Sequence, residues 1–271
     1  MRLDLYLSKN GYFSTRTKAL QAIERGEVYV NGKNATKSSF NIAEDVEYAI
    51  EIKSRISFVS LGGFKLEKAL NDFSYNVSNL VIADLGASTG GFTDCLIKRN
   101  AKLVYAVDLN DTLLDNALKG NDKVVQIIKN VKDLTSSDFD TELDLITADL
   151  SFISSSVYMP IISSIINDGK DIILLIKPQF EIGEKKNFKN GIIKDKKLLK
   201  TICRKVYDTA ILNNLYPQKL TTAPIKDNKN TEFLILLTKN AKSVVNFDDL
   251  YGTLWKYWYA IIKKNKKVNI A

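Results

Sequence analysis

The chain has 271 residues, 45% of them hydrophobic and 26% charged, so it can bury a full core and is expected to form one large domain and a small one. It has no histidine, which excludes Ser-His-Asp and Cys-His hydrolases and leaves acid–base chemistry to Lys, Asp, Glu, Tyr or Cys. The formal net charge of +8 favours polyanionic partners.

Three further features predict a soluble protein of the cytoplasm. The first residues, MRLDLYLSKNG, lack the apolar core and the cleavage site of a signal peptide. The longest apolar runs, such as IILLI, are too short to span a bilayer, so no stable membrane association is expected. The two cysteines, Cys95 and Cys203, predict no disulfide framework and fit a reducing compartment.

Residues 1–58 are predicted to form a small α+β unit. The strings LDLYL and ALQAI carry apolar residues at helical spacing, and Ser14 is a candidate N-cap of the second helix. The string VYVNGKNA then predicts two strands joined by a type I′ turn at Asn31 and Gly32.

This unit resembles the RNA-binding domain first seen in small-subunit ribosomal protein S-four. The strings RLDLYL, STRTKA and IERGEVYVNGK carry the resemblance. It implies a helix pair whose basic side chains contact RNA phosphates, whereas the alternative is a helical capping domain with incidental basicity. The residues predicted to bind RNA here are Arg2, Lys9, Arg16, Lys18 and Lys33.

From residue 80 onwards strand and helix patterns alternate, which predicts a mostly parallel α/β sheet. Five buried strands are expected at LVIAD, KLVYAVD, VVQII, LDLITAD and DIILLIK, followed by a long helix from about residue 195 to 214. QKLTTA and TEFLILL are predicted to close the sheet as a pair. The expected boundaries are a linker at 59–64, the α/β domain at 65–238 and a basic, aromatic tail at 239–271.

The string DLGASTGGFTDCL, residues 84–96, places a glycine-rich turn between a strand and a helix, a geometry that holds small charged ligands. A Walker A loop is excluded because Phe92, not Lys, follows the last glycine. A dinucleotide fingerprint is disfavoured because Ser88 stands where its second glycine belongs. The third ligand class is S-adenosylmethionine, whose cationic end could meet Asp84 and whose ribose could meet Asp108 at the end of the next strand. The turn therefore favours a methyltransferase.

The α/β part resembles the TlyA-like family. DLGASTGGFTDCL, ADLSFIS, KPQFE and NTEFLILL look like successive motifs of this family, a branch of the FtsJ-like superfamily whose members are 2′-O-ribose methyltransferases of ribosomal RNA and are often called hemolysin A. The resemblance implies a Rossmann-like S-adenosylmethionine-dependent methyltransferase sheet with a small N-terminal RNA-binding domain. It also implies S-adenosylmethionine as the cofactor, no metal, and ribosomal RNA or ribosomal subunits as the partner, with cytidine in 16S or 23S rRNA as the target.

The resemblance assigns the catalytic residues, and the glycine-rich turn and the strand ends supply the predicted cofactor residues. The superfamily's Lys-Asp-Lys-Glu tetrad falls on Lys65, Asp149, Lys177 and Glu232. The residues predicted to bind the cofactor are Asp84, Gly86, Ala87, Ser88, Thr89, Gly90, Gly91, Phe92, Asp108 and Asp149.

The chemistry of a ribose 2′-hydroxyl agrees with such a tetrad. The hydroxyl is a poor nucleophile until its proton leaves or is held aside, and without histidine a lysine can act as the base or stabilise the developing alkoxide. Lys177 is predicted for this role. Asp149 and Glu232 would orient the lysines, and Lys65 would position the ribose or a phosphate.

Several alternatives remain open on the sequence alone. The run from Lys185 to Lys200 holds seven lysines, of which Lys185, Lys186 and Lys189 are predicted to contact RNA, although a solvated loop has the same composition. An adenine amino methylase is disfavoured because the string DLSF at 149–152 lacks the prolines of its motif. The alternatives in other classes are a membrane-active hemolysin, whose tail would lie on a membrane, and a ribosome-binding factor without catalysis.

Overall fold

The computed structural model describes residues 1–254, apart from residues 14, 25, 36, 38, 39, 44, 45, 47, 53–57, 111, 112, 183–190, 225–228 and 241–243. The chain divides into two compact units, Met1–Ser57 and Phe58–Ala271. The predicted N-cap Ser14 and the predicted tail from residue 255 onwards lie outside the described residues.

The first unit is a helix pair with a small antiparallel sheet, as its sequence pattern predicts. Its elements are α1 (Leu3–Lys9), α2 (Arg16–Glu24), β1 (Val28–Val30), β2 (Lys33–Asn34) and β3 (Ile50–Ile52), and the strand order is β2-β1-β3. The turn between β1 and β2 has φ 50° at Asn31 and 75° at Gly32, the two positive values that a type I′ turn requires. Leu3, Leu7, Ala19 and Ile23 close the core between the helices and the sheet.

The second unit alternates strands with helices. Its strands are β4 (Val81–Leu85), β5 (Leu103–Asp108), β6 (Val124–Ile128), β7 (Leu145–Ala148), β8 (Asp171–Ile176), β9 (Tyr216–Thr222) and β10 (Phe233–Thr238). Its helices are α3 (Gly62–Phe73), α4 (Gly91–Lys98), α5 (Asn116–Lys119), α6 (Ser155–Ile165), α7 (Pro178–Glu181) and α8 (Lys196–Leu212), and residues 247–254 are also helical.

The strands form one seven-stranded sheet in the order β6-β5-β4-β7-β8-β10-β9. The five strands from β6 to β8 run parallel, which confirms the predicted parallel α/β sheet. β10 runs antiparallel to both of its neighbours, β8 and β9. Although β10 is the last strand in the sequence, it therefore lies inside the sheet and not at its edge.

Helices cover both faces of this sheet, which explains why its central strands read as continuous apolar runs. On one face α3 and α4 pack through a cluster that includes Leu70, Phe73 and Leu96. On the other face α6 and α8 pack through a cluster that includes Ile162 and Val206. Both cysteines are buried and unpaired.

Neither α3 nor α6 was predicted from the sequence. α3 begins at Gly62, inside the segment expected to be a linker, because its apolar side chains at every third or fourth position are buried against the sheet. α6 contains Pro160 in its interior and packs on the sheet through Met159 and Ile162. Within the described part of the chain, no helix combines the length and the apolar character that crossing a bilayer requires.

Candidate active site

The predicted tetrad residues lie on separate elements that meet at one edge of the sheet. Asp149 directly follows β7 and Lys177 directly follows β8, and because these strands are parallel, both residues come to the same edge. Glu232 directly precedes β10, whose antiparallel direction brings its start to that edge as well. Lys65 lies near the start of α3.

The four side chains form a row of alternating charge. Lys65 Nζ lies 2.7 Å from Glu232 Oε2 and 3.8 Å from Asp149 Oδ2, and Lys177 Nζ lies 2.5 Å from Asp149 Oδ1. Two lysines and two carboxylates balance in charge, so the row can be partly buried without leaving an unpaired ion. The structure thus brings together all four residues of the predicted tetrad.

Asp149 Oδ1 is buried, and its partner among the described residues is the Lys177 ammonium at 2.5 Å. Lys177 Nζ also donates to Ser151 Oγ at 2.6 Å. An ammonium group has three N–H donors, so a Lys177 side chain that contacts Asp149 and Ser151 can still donate to a third oxygen. The sequence analysis did not assign Ser151, although it lies within the quoted ADLSFIS string.

Phe152 is a second residue that sequence reasoning missed. Its φ of 64° is unusual for a bulky side chain, and 90% of its surface is exposed. The centroid of its ring lies 5.0 Å from that of Phe180 in α7. Two aromatic side chains therefore lie together beside Ser151. Backbone strain beside a charged row is a feature that concentrates at functional sites.

A buried carboxylate links the segment of residues 151–155 to α7, which follows Lys177. Glu181, at the end of α7, is 4% exposed and accepts hydrogen bonds from the Ser154 hydroxyl at 2.8 Å and from the Ser155 backbone N–H at 2.9 Å. The segment that carries Ser151 and Phe152 is thereby fixed against the segment that follows Lys177.

The glycine-rich turn between β4 and α4 lies at the same edge of the sheet. Gly86 and Gly90 have φ of 80° and 90°, which few other residues adopt without strain. A Cβ at Gly86 would lie 3.0 Å from the carbonyl oxygen of Asp149, and one at Gly90 would clash with the Leu118 side chain. The glycines therefore let the turn pack closely on the tetrad row and on α5.

The remaining residues predicted to bind the cofactor differ in exposure. Ser88 and Thr89 are exposed, whereas Ala87, Gly91 and Phe92 are buried within the turn and the start of α4. A Cβ at Gly91 would clash with Ser60 Oγ, so this glycine is also required by close packing.

Asp84 is fully buried beneath the turn. Its two carboxylate oxygens accept hydrogen bonds from Thr93 Oγ1 at 2.6 Å and from Thr147 Oγ1 at 3.0 Å. Burial raises the pKa of Asp84 to about 6, although the two threonine hydrogen bonds oppose this shift. In this conformation Asp84 supports the turn from below, and direct contact with a ligand stays a prediction.

Asp108, at the end of β5, is held in place by two backbone N–H groups. Ser88 donates to Oδ2 at 2.8 Å and Leu109 donates to Oδ1 at 2.7 Å. The carboxylate is partly exposed and each oxygen can accept a second hydrogen bond, so it can still receive hydroxyl donors. Leu109, beside it, is an exposed apolar side chain.

The basic residues predicted to bind RNA in the first unit are all exposed. Arg2 precedes α1, Lys9 ends it, Arg16 and Lys18 lie in α2, and Lys33 begins β2. The other predicted RNA contacts, at Lys185, Lys186 and Lys189, lie outside the described residues.

Comparison with known proteins gives the same two-part division. The FtsJ-like methyltransferase family model matches residues 58–240, and the S4 domain model matches residues 1–47. The chain is similar to hemolysin A of Brachyspira hyodysenteriae, with 40% identity over 237 residues that cover 86% of this chain and 98% of that protein.

Two further similarities extend over most of the chain. The 16S/23S rRNA (cytidine-2′-O)-methyltransferase TlyA of Mycobacterium tuberculosis is 33% identical over 198 residues, which cover 73% of this chain and 74% of that protein. The solved structure of a candidate hemolysin from Streptococcus thermophilus is 31% identical, covers 98% of both chains and superposes with a TM-score of 0.71. Because the matched region 58–240 is more than half of the 271 residues, the chain belongs to the FtsJ-like methyltransferase family and carries an S4 domain at its N-terminus.

Proposed function

We propose that this protein is an S-adenosylmethionine-dependent 2′-O-ribose methyltransferase that acts on ribosomal RNA in the cytoplasm, with cytidine in 16S or 23S rRNA as its target. The observation that carries the proposal is the charged row at the edge of the sheet, in which Lys177 Nζ lies 2.5 Å from Asp149 and 2.6 Å from Ser151. The cytidine-2′-O activity in the name of the TlyA relative supports the choice of nucleotide.

The row suits the activation of a hydroxyl group. The Lys177 ammonium is paired with the Asp149 carboxylate at 2.5 Å. Lys177 would therefore donate its third N–H to the 2′-oxygen and stabilise the negative charge that develops there. Asp149, whose carboxylate lies 2.5 Å from Lys177 Nζ, is the adjacent acceptor for the hydroxyl proton.

Lys65 has a different position in the row. Its ammonium is held by Glu232 at 2.7 Å, so it is a fixed positive charge beside Asp149. A fixed cation at this place would bind a phosphate or a ribose oxygen of the RNA and orient the target sugar.

The turn and the neighbouring strand ends fit S-adenosylmethionine. The cofactor supplies the transferable methyl group when it is bound. Asp108, whose orientation is fixed by two backbone N–H groups, would hold the ribose hydroxyls. The turn of residues 86–91 would receive the methionine portion.

The exposed aromatic pair offers a surface for an unstacked base. RNA-binding proteins stack single-stranded bases on aromatic rings, and enzymes that act on a nucleotide within folded RNA often take it out of its stack. Phe152, which is 90% exposed and next to Ser151, would support the base whose ribose faces Lys177.

The test is methyl transfer from labelled S-adenosylmethionine to undermodified ribosomal subunits by the wild-type protein and by Lys177→Ala. We expect a methylated nucleotide whose 3′ linkage resists alkali, as a blocked 2′-hydroxyl requires, and we expect it to be lost in the variant. Methylation on a base would refute the role given to the charged row. Cofactor binding without transfer to either subunit would refute ribosomal RNA as the substrate.

A further inference from the structure

In the first unit one acidic side chain is buried beneath two of the basic ones. Asp4, in the first turn of α1, is 1% exposed. Its Oδ1 accepts from Arg2 Nε at 3.0 Å, and its Oδ2 accepts from Arg2 Nη2 at 3.3 Å and from Arg16 Nε at 2.8 Å. One carboxylate therefore links a residue at the start of α1 to a residue at the start of α2.

The carboxylate is charged over the whole physiological range. Burial alone would raise the pKa of Asp4, but the hydrogen bonds and the charges of Arg2 and Arg16 outweigh this effect and hold that pKa below its ordinary value. Bonds between guanidinium and carboxylate are directional, because the planar fork fixes the orientation of the group as well as its distance.

The two arginine side chains are held at one end and exposed at the other. About half of each side chain is accessible, 48% for Arg2 and 52% for Arg16. A free arginine has several rotatable bonds, and ordering it on a ligand costs conformational entropy. Here Asp4 has already restricted both side chains before any ligand arrives.

We propose that Asp4 is a positioning residue for RNA binding, which holds the guanidinium groups of Arg2 and Arg16 side by side so that their exposed portions bind the phosphate backbone as one unit. This inference rests on the proposed function and on the prediction that the first unit binds RNA. The binding of the RNA phosphates is then stronger with the acidic residue than without it, although its charge repels them.

A purely structural role for Asp4 predicts the opposite result. Removing a negative charge from a basic RNA-binding surface ordinarily strengthens binding, because the attraction to phosphates grows. If Asp4 only joined the two helices, a folded protein without its charge would bind RNA equally well or more tightly.

The experiment measures the affinity of the full-length protein for a fluorescently labelled RNA hairpin with a stem of about 16 base pairs. The variants are Asp4→Asn, Arg16→Ala and Glu51→Gln. Glu51→Gln is the matched control, because it removes one negative charge from the exposed edge strand β3 of the same unit. Circular dichroism and thermal unfolding show whether each variant is folded.

We expect Asp4→Asn to bind roughly tenfold more weakly, because the RNA itself must then order two long side chains. Arg16→Ala should also bind more weakly, and Glu51→Gln should bind as tightly as the wild type or more so. Affinity of folded Asp4→Asn equal to or above that of the wild type overturns the inference.

Arg16→Lys is the second variant, for the case that Asp4→Asn does not fold. It keeps the positive charge but loses the fork that fixes its orientation, so we expect several-fold weaker binding, and wild-type binding would refute the inference. If the wild type does not bind the hairpin, RNA docking by the first unit and this inference fail together. If the wild type methylates ribosomal subunits while Asp4→Asn binds the hairpin normally, only this inference fails.

Discussion

Removal of Lys177 should slow methyl transfer by more than the loss of one hydrogen bond would, because Asp149 then loses its 2.5 Å ion pair and keeps the 3.8 Å one with Lys65. In the structure the two side chains are 2.5 Å apart and only 10% and 19% exposed. At an effective dielectric constant of about 20, two unit charges about 4 Å apart interact by about 4 kcal/mol. In Lys177→Ala the developing alkoxide would lose an attraction of this order and face the charge of Asp149, so kcat should fall roughly a thousandfold.

The double variant Lys177→Ala/Asp149→Asn separates this explanation from simpler ones. Because the two side chains act as one pair, the loss of Asp149 should cost less once Lys177 is absent, so the double variant should be faster than the product of the two single effects predicts. The assay is single-turnover methyl transfer to ribosomal subunits at saturating S-adenosylmethionine. A double variant that is slower by the product of the two single effects would refute the coupling between these residues.

A matched control pair lies at the other ends of β7 and β8, the strands that Asp149 and Lys177 follow. Lys170 and Asp144, which directly precede β8 and β7, form an ion pair at 2.8 Å. Because this pair lies at the opposite edge of the sheet, we expect Lys170→Ala/Asp144→Asn to lower the stability of the protein but to change kcat by less than about twofold.

Three other predictions follow from single residues. Phe152→Ala should lower kcat/KM for the RNA roughly tenfold without changing the melting temperature, because the ring is 90% exposed; an unchanged kcat/KM would remove its stacking role. Gly90→Ala should destabilise the protein by about 3 kcal/mol in thermal unfolding, because backbone strain adds to a clash with Leu118. Gly169 has a similar φ of 80° but nothing within 4 Å of an added Cβ, so Gly169→Ala should cost only about 1 kcal/mol. Equal costs would contradict this packing. The pKa of Asp84 is raised from 3.8 to about 6, so the folded state binds its proton more tightly than the unfolded state does. The wild type should therefore lose about 2 kcal/mol of stability relative to Asp84→Asn as pH rises from 4 to 6, and a constant difference would refute the shift.

The central strands of the sheet could be predicted from the sequence because helices cover both of their faces. Strands covered on both faces need apolar side chains at every position, so strings such as VIADL and DIILLI read as strands without their neighbours. The turn of Asn31 and Gly32 was equally predictable, because few other pairs adopt two positive φ values. The tetrad was found through its resemblance to a family, and its ion-pair distances could come only from the fold.

Other features depend on contacts between distant parts of the chain. The pair Gly62 and Gly63 disfavours a helix locally, yet α3 starts there because burial against the sheet outweighs propensity. Asp84 follows the pattern of a ligand-facing carboxylate, but the hydroxyl groups of Thr93 and Thr147 reach it from α4 and β7 and enclose it. The positive φ of Phe152 has no sequence signal at all.

The position of β10 has a consequence for how the protein is made. A chain emerges from the ribosome in sequence order, so β8 and β9 are available before the strand that must lie between them. The edge of β8 therefore cannot have its final partner until residue 238 has been synthesised, and Glu232 reaches Lys65 only at that stage. Non-local pairing of this kind is slow, and it makes methyl transfer a property of the finished chain. A nascent chain that stops short of β10 would have the turn and both lysines but no closed row of charges between them.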